Sequence, residues 1–189
     1  TNLESVGSKG FYGSAFAKAS TMWPEFVVSK KLRHIEPDAF DRSNLGKFTV
    51  DGGNPYFSSS EWPLLLNKNQ TCLIMTAAKW PSLIDFPSTM IRMGPGSIMN
   101  SSFSITVPNT VVEMEGALVN YTLHTLKCNS VVPPIITDSS FHKNMFNEET
   151  WLYVPKGCEE LYRNAPGWNR FTHIIGDLKY VPAPDQDRE

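Results

Sequence analysis

Apolar residues recur along this chain in the same order from one segment to the next. Segments 87–107 and 108–128 align at an offset of 21 residues, through apolar positions more than through identities. The superposed pairs are Pro87 with Pro108, Met90 with Val111, Met93 with Met114, Ile98 with Val119, Ile105 with Leu126 and Val107 with Cys128. Segment 28–50 matches the same pattern, with Ile35 and Phe40 at the positions of Met93 and Ile98. Segment 3–11 matches it again with Val6 and Phe11. Four units of this kind indicate a repeat protein.

Each unit contains a short strand of alternating apolar and polar residues. Segments 45–50 and 123–128 both follow the pattern L-x-x-L-x-L in their apolar positions. That pattern is the strand signature of leucine-rich repeats, whose period of about 20–29 residues includes the observed offset. A unit of this length cannot bury its own apolar row, so successive units must stack to form a core. We therefore predict a β-rich leucine-rich-repeat solenoid with short parallel strands.

An insertion of about residues 52–86 interrupts the repeat. It contains two apolar runs, 64–66 and 72–75, which are separated by the turn-type residues of 67–70. Two strand-like runs around such a turn predict a β-hairpin. We expect this hairpin to project from the coil.

Segment 151–176 opens like a strand and ends like a terminal cap. We predict a short helix over 158–164, in which Leu161 and Ala165 share one face. Trp168, Phe171 and Ile174 would cover the last strand, since the final coil of a solenoid has no neighbour to bury it. This packing role is favoured over a ligand platform at Trp168, because an aromatic ring gains so much from burial. Segment 177–189 has the composition of a linker and is predicted to be a mobile C-terminal tail.

Several motifs resemble one known family. These motifs are IEPDAF, FTVDGGNPYFSSSEWPLLLNKNQTCLI, ITVPNTVVEM, LKCNSVVPPII and LYVPKGCEELYRNAPGWNRFTHI. They are similar to segments of the BspA-type leucine-rich-repeat surface proteins of gut and oral bacteria, and the resemblance covers nearly all of residues 1–176. It implies a single leucine-rich-repeat domain over 1–176 in a bacterial protein exported to the cell surface or secreted. It also implies adhesion or binding to a host or bacterial surface protein, without catalysis.

Composition excludes several other classes of protein. The formal net charge is −2 and no run of Lys and Arg exceeds two residues, so a nucleic-acid partner is not expected. The apolar runs are far shorter than the roughly 20 residues of a membrane-spanning helix. Three cysteines without C-x-x-C spacing and four scattered histidines predict no metal site and no cofactor. Buried free thiols are favoured for the cysteines, although one disulfide remains compatible with their number.

Catalytic residues are not evident in this sequence. Asp138, Ser139, Ser140 and His142 are close in sequence, but this run is typical of a surface loop. A parallel β-helix enzyme acting on polysaccharide would need acidic or basic groups gathered on its outward sheet face. The two predicted outward columns contain no carboxylate; they are Thr49, Thr106 and Lys127, and Lys47, Ser104 and Thr125.

The sequence therefore favours binding without chemistry. The first hypothesis is a protein-binding sheet face, with Lys47, Thr49, Thr106, Thr125 and Lys127 as candidate residues. The second is a glycan platform on the hairpin formed by Tyr56, Trp62 and Trp80, whose rings could instead pack the insertion against the coil. The first unit also lacks a preceding strand, which predicts either further chain before Thr1 or self-association through the N-terminal coil.

Overall fold

The computed structural model describes residues 2–16, 24–60, 63–77, 85–98, 104–118 and 123–179. Short strands dominate these residues. The strands are β1 (Ser5–Val6), β2 (Glu25–Val28), β3 (His34–Ile35), β4 (Lys47–Val50), β5 (Phe57–Ser58), β6 (Leu64–Asn67), β7 (Cys72–Thr76), β8 (Arg92–Met93), β9 (Ser104–Val107), β10 (Glu113–Met114), β11 (Thr125–Cys128), β12 (Ile135–Ile136), β13 (Trp151–Pro155) and β14 (His173–Leu178). One α-helix, α1 (Glu159–Asn164), and two 3-10 helices, Lys143–Met145 and Trp168–Arg170, lie in the C-terminal part.

The chain winds into a solenoid whose coils pair through parallel strands. The longer strands form a two-stranded sheet, β2–β4, and a four-stranded sheet in the order β9–β11–β13–β14. The shorter strands form the β1–β3 pair and the parallel series β7–β8–β10–β12. A third side is marked by parallel bridges from Ile98 to Leu118 and from Leu118 to Phe141. The predicted leucine-rich-repeat solenoid is confirmed.

The strand register follows the repeat found in the sequence. Ser104 pairs with Thr125 and Arg92 pairs with Glu113, so each partner lies 21 residues further along the chain. On the third side of the solenoid Ile98 pairs with Leu118, which lies 20 residues further along the chain, whereas the sequence alignment matches Ile98 with Val119, a residue outside the described ranges. The unit is shortened by one residue at a turn where Gly116 has a positive φ of 56°, a conformation that glycine adopts without strain.

The buried apolar residues form two separate cores, one in the N-terminal half of the solenoid and one in the C-terminal half. Val6 pairs with Ile35 in the first sheet, whereas Met93 pairs with Met114 in the second. The first pair belongs to an N-terminal core that also contains Phe26, Phe40, Phe48 and Met75. The second pair belongs to a C-terminal core that also contains Ile105, Leu126, Leu152 and Trp168.

The inserted hairpin separates these two cores. Strands β6 and β7 pair in antiparallel fashion, as predicted, but the expectation that the hairpin projects from the coil was wrong. Leu64, Leu65 and Leu66 are all fully buried. Leu64 and Leu66 pack in the C-terminal core, and Leu65 packs in the N-terminal core. A continuous apolar run is typical of a strand that is buried on both faces, which is the physical reason for this position.

Asn54 fixes the segment that leads into the hairpin. Its side chain is fully buried and its amide nitrogen donates to the carbonyl oxygens of Ser29 and Leu32, at 2.7 and 2.8 Å. Its amide oxygen accepts from the backbone N–H groups of Tyr56 and Phe57, both at 2.8 Å. The Asn-Pro-Tyr-Phe motif therefore joins the insertion to the preceding coil through four hydrogen bonds of one side chain.

The C-terminal cap is a short helix followed by an aromatic lid. Tyr162 points into the core and is fully buried, whereas Leu161 is 51% exposed, so the predicted inward face of the helix was wrong by one residue. The helix starts at Glu159, and the 3.6-residue period then places Cys158, Tyr162 and Ala165 on one side.

Trp168 packs as the predicted lid. It is 1% exposed, its ring lies 5.2 Å from that of Phe141 and 5.1 Å from that of Tyr162, and its indole N–H donates to the carbonyl of Pro134 at 2.8 Å. Strand β14 extends through Leu178, two residues into the segment predicted as a tail. Residues 180–189 lie outside the described residues.

Candidate binding surface

Alternation along the four-stranded parallel sheet separates an inward row from an outward face. Ile105, Leu126, Leu152 and Ile174 point into the core, with 0–3% of each residue exposed. The residues between them point outward, because successive side chains of a strand lie on opposite faces. The register aligns these outward residues into two columns, Ser104–Thr125–Trp151–His173 and Thr106–Lys127–Tyr153–Ile175. We call these eight residues the C-terminal sheet face.

One end of the C-terminal sheet face is aromatic and apolar. Trp151 is 39% exposed and Ile175 is 37% exposed. The rings of Trp151 and His173 are nearly parallel, at an interplanar angle of 11°, and their centroids are 4.2 Å apart. The other end presents hydroxyl groups and the Lys127 ammonium group. A rigid sheet therefore exposes a planar stacked pair beside polar side chains.

The five predicted binding residues do not form one group. Thr106 pairs directly with Lys127, and Thr125 lies two positions before Lys127 on β11. Lys47 and Thr49 lie on β4, whose only described strand partner is β2. They therefore belong to a separate sheet that packs over the N-terminal core.

The sheet formed by β2 and β4 contains a carboxylate that the sequence alignment missed. Glu25 pairs with Lys47 in the ladder, and its carboxylate lies 3.2 Å from the Lys47 ammonium group. The Thr49 hydroxyl donates to the same carboxylate. That hydrogen bond, aided by Lys47, lowers the pKa of Glu25. The expectation that the outward columns contain no carboxylate was thus wrong, although this one is held by its neighbours.

The predicted glycan platform is described only at Tyr56. Its side chain is 51% exposed, whereas the neighbouring Phe57 is buried. Trp62 and Trp80 lie outside the described residues. The structure therefore does not bring these three rings together or separate them.

The most prominent part of the C-terminal sheet face was missed at the level of sequence. Trp151, Tyr153, His173 and Ile175 were interpreted as parts of a cap, and β13 and β14 were not aligned with the earlier strands. A signal for them is present in the sequence. In residues 151–154 and 173–175, outward and buried positions alternate as they do in β9 and β11.

Two members of the polar cluster around residue 140 make local hydrogen bonds. Ser140 is fully buried and donates to the carbonyl of Met114, while its oxygen accepts from the N–H of Thr137. His142 Nδ1 accepts from the N–H of Asn144. These contacts belong to a turn, as the sequence predicts for this loop. Within the described ranges, no group of three or more His, Cys, Asp or Glu side chains is arranged to hold a metal ion.

The three cysteines are free thiols. Cys128 and Cys158 are buried and Cys72 is half-buried, which confirms the expectation of unpaired thiols and the burial of two of them. Removal from water raises the pKa of all three thiols. The protonated thiol is a weak nucleophile, so these side chains act as packing groups. Among helices in the described part of the chain, none has the length and apolarity to cross a bilayer.

Comparison with known proteins finds solved structures that resemble this chain but no match in sequence. No family model matches the chain, and no curated protein matches it in sequence. The solved structure of the pneumococcal vaccine antigen PcpA is similar with a TM-score of 0.44 and 15% identity, over 94% of this chain and 60% of that one. A leucine-rich-repeat protein from Eubacterium ventriosum is similar with a TM-score of 0.44 and 15% identity, over 80% of this chain and 48% of that one. The chain thus spans about half to three fifths of the length of these structures, and such distant likeness establishes no shared function.

Proposed function

We propose that this chain is a non-enzymatic interaction module that binds a protein partner through the C-terminal sheet face, outside the cell or at its surface. The observation that carries the proposal is the stacked Trp151–His173 pair, which lies on the outward side of a parallel sheet. Parallel sheets are usually covered on both faces. A parallel sheet whose outward aromatic residues are left partly exposed in the described part of the chain is a suitable docking area.

The chemistry of the face fits protein recognition. Tryptophan and tyrosine dominate the energetic centres of protein interfaces, because they bury a large area with few rotatable bonds. Lys127 and the hydroxyls of Thr106 and Thr125 lie on one side of this centre and can hydrogen-bond to a partner. The resemblance of the motifs to BspA-type surface proteins supports an exported setting and an adhesive role.

The test uses purified candidates from host extracellular matrix and from bacterial surfaces, measured by surface plasmon resonance. We expect Trp151→Ala to weaken binding of a partner about tenfold or more, since an aromatic hot spot contributes about 2 kcal/mol. Val132→Ala is the matched control, because Val132 is 75% exposed and lies outside the sheet. A partner that binds Trp151→Ala and the unaltered chain equally well would contradict the proposal.

A second candidate function is glycan binding on the inserted segment. The exposed ring of Tyr56 favours it, since aromatic faces stack on sugar rings. On a glycan array, Tyr56→Ala combined with Trp62→Ala and Trp80→Ala should abolish binding, while Trp151→Ala should not. The reverse pattern would assign the glycan to the C-terminal sheet face instead.

Self-association through the N-terminal coil is the third element of the proposal. Leu3 is 38% exposed, and in the described residues β1 pairs with β3 alone. An unpaired strand edge is a template for another chain. Light scattering coupled to size exclusion should show a concentration-dependent dimer that Leu3→Lys disrupts; a monomer at all concentrations would exclude it.

A further inference from the structure

A cleft of about 390 Å³ lies where the inserted segment meets β4. Its lining residues include Phe48, Val50, Asp51, Phe57, Ser58 and Lys68. Its volume is near the lower end of the roughly 300–1,000 Å³ of small-molecule sites.

Two opposite charges line this cleft without neutralising each other. Among the ion pairs of the described residues, none joins Asp51 to Lys68. Each is nevertheless held in place by the backbone of the same turn. Asp51 Oδ1 accepts from the N–H of Gly53 at 2.8 Å, and Lys68 Nζ donates to the carbonyl of Asn54 at 2.7 Å. Asp51 keeps a second oxygen, and Lys68 keeps two N–H donors.

The turn that carries these contacts is tied to the preceding coil. The buried Asn54 side chain makes four hydrogen bonds, two to the coil and two to the turn. The hydroxyl of Ser58 already donates to the carbonyl of Asn67 at 2.7 Å, so it offers only acceptor capacity to a ligand. The two charged side chains are exposed, and each is oriented by one hydrogen bond to the backbone of this turn, which lowers the entropic cost of binding a ligand.

We propose that this cleft binds a small dipolar ligand of the α-amino acid class. The ligand ammonium group would contact the Asp51 carboxylate and the Ser58 oxygen, and its carboxylate would contact Lys68. The half-buried Val50, with the edges of Phe48 and Phe57 beside it, would contact an aliphatic side chain. A neutral sugar would leave the two charges without compensation, whereas a dipolar molecule satisfies both. This site is independent of the protein-binding face proposed above.

Isothermal titration calorimetry with a panel of free amino acids tests this assignment. We expect saturable binding of at least one aliphatic amino acid, weakened about tenfold or more by Asp51→Asn and by Lys68→Met, because charge-assisted hydrogen bonds are the stronger ones. The N-acetylated and the amidated forms of that amino acid should each bind about tenfold more weakly than the free form. Lys68→Arg should recover part of the affinity, since it restores the cation.

Matched controls separate the site from general charge effects. Asp138→Asn and Lys156→Met alter exposed residues outside the cleft and should leave binding unchanged. Trp151→Ala should also leave it unchanged, so failure of this site and failure of the protein-binding face are distinguishable. Circular dichroism must show that the Asp51 and Lys68 variants remain folded. The proposal is overturned if no amino acid binds, or if a hexose binds and the two charge substitutions do not weaken it.

Discussion

Asn54 is the residue on which the junction between coil and insertion depends most. It is fully buried and connects the backbone at Ser29 and Leu32 to that at Tyr56 and Phe57. A buried amide that satisfies four backbone groups cannot be replaced by water, because the site is closed. Its loss leaves those groups unpaired in the interior, which is costly.

Asn54→Ala should therefore lower the free energy of unfolding by about 3 kcal/mol or more. Asn54→Asp is an informative companion, since it keeps an acceptor for Tyr56 and Phe57 but places a buried carboxylate against the carbonyl oxygens of Ser29 and Leu32. We expect it to be at least as unstable as Asn54→Ala at neutral pH in urea unfolding followed by circular dichroism. Equal stability of all three proteins would contradict the role assigned to this side chain.

Tyr162 and Cys128 make stability sensitive to alkaline pH. Burial raises the pKa of the Tyr162 phenol and of the Cys128 thiol. Both groups keep their protons in the folded state, whereas the unfolded chain releases them near about pH 8.5 for the thiol and pH 10 for the phenol. The folded state thus binds more protons at high pH, so stability is fully present below about pH 8 and falls as the pH rises above it.

Tyr162→Phe should flatten the part of this decline near pH 10 while lowering stability at neutral pH by about 1–2 kcal/mol. The cost arises because the phenol donates to the Ser130 carbonyl at 2.7 Å. Tyr12→Phe is the control at neutral pH, since the Tyr12 ring is 45% exposed and its contacts with Lys9 and Arg42 do not need the hydroxyl. An identical alkaline decline in Tyr162→Phe and the unaltered protein would refute the assignment to this phenol.

At the scale of single elements, the β6–β7 hairpin contributes most to the organisation of the fold. Its side chains alternate between the two cores: Leu65 faces Met75 across the pair on one side, and Leu66 faces Leu73 on the other. Such an element cannot be removed or made polar on either face without exposing a core.

Leu65→Ala should lower the free energy of unfolding by about 2–5 kcal/mol, because it leaves a cavity in the N-terminal core. Leu161→Ala makes the same change at a helix position that is 51% exposed, and should alter stability by no more than about 0.5 kcal/mol. Thermal and urea unfolding measure both. A small effect of Leu65→Ala would mean that the hairpin is not the buried divider described here.

Across the whole molecule, two cores share one hairpin, so their unfolding should be coupled. Amide hydrogens of β6 and β7 lie in the interior of the six-stranded sheet β12–β10–β8–β7–β6–β5, and they exchange only when both cores open. We expect these amides to exchange no faster than those of β2 and β4 in native-state hydrogen exchange with mass spectrometry. Faster exchange in the hairpin than in its flanking coils would show that the insertion unfolds separately.

The sequence by itself determined the repeat, the register of its central coils and the identity of the inward residues. These follow from local alternation, and alternation is a property that a strand imposes on any chain that buries one face. The parallel pairing of Ser104 with Thr125 and of Met93 with Met114 agrees with the alignment that apolar positions alone predict.

Only the tertiary structure decided how the halves of the solenoid meet and which side chains converge on its surface. Leu65 packs against one core and its two neighbours against the other, because a strand between two layers has no solvent face. Tyr162 replaces Leu161 as the inward residue because its ring packs in the C-terminal core, where its phenol donates to the carbonyl of Ser130. The Trp151–His173 stack and the cleft between Asp51 and Lys68 each bring together residues that are 17 or more positions apart in the sequence. Such residues become neighbours only when successive coils stack, so the sequence pattern does not reveal their contact.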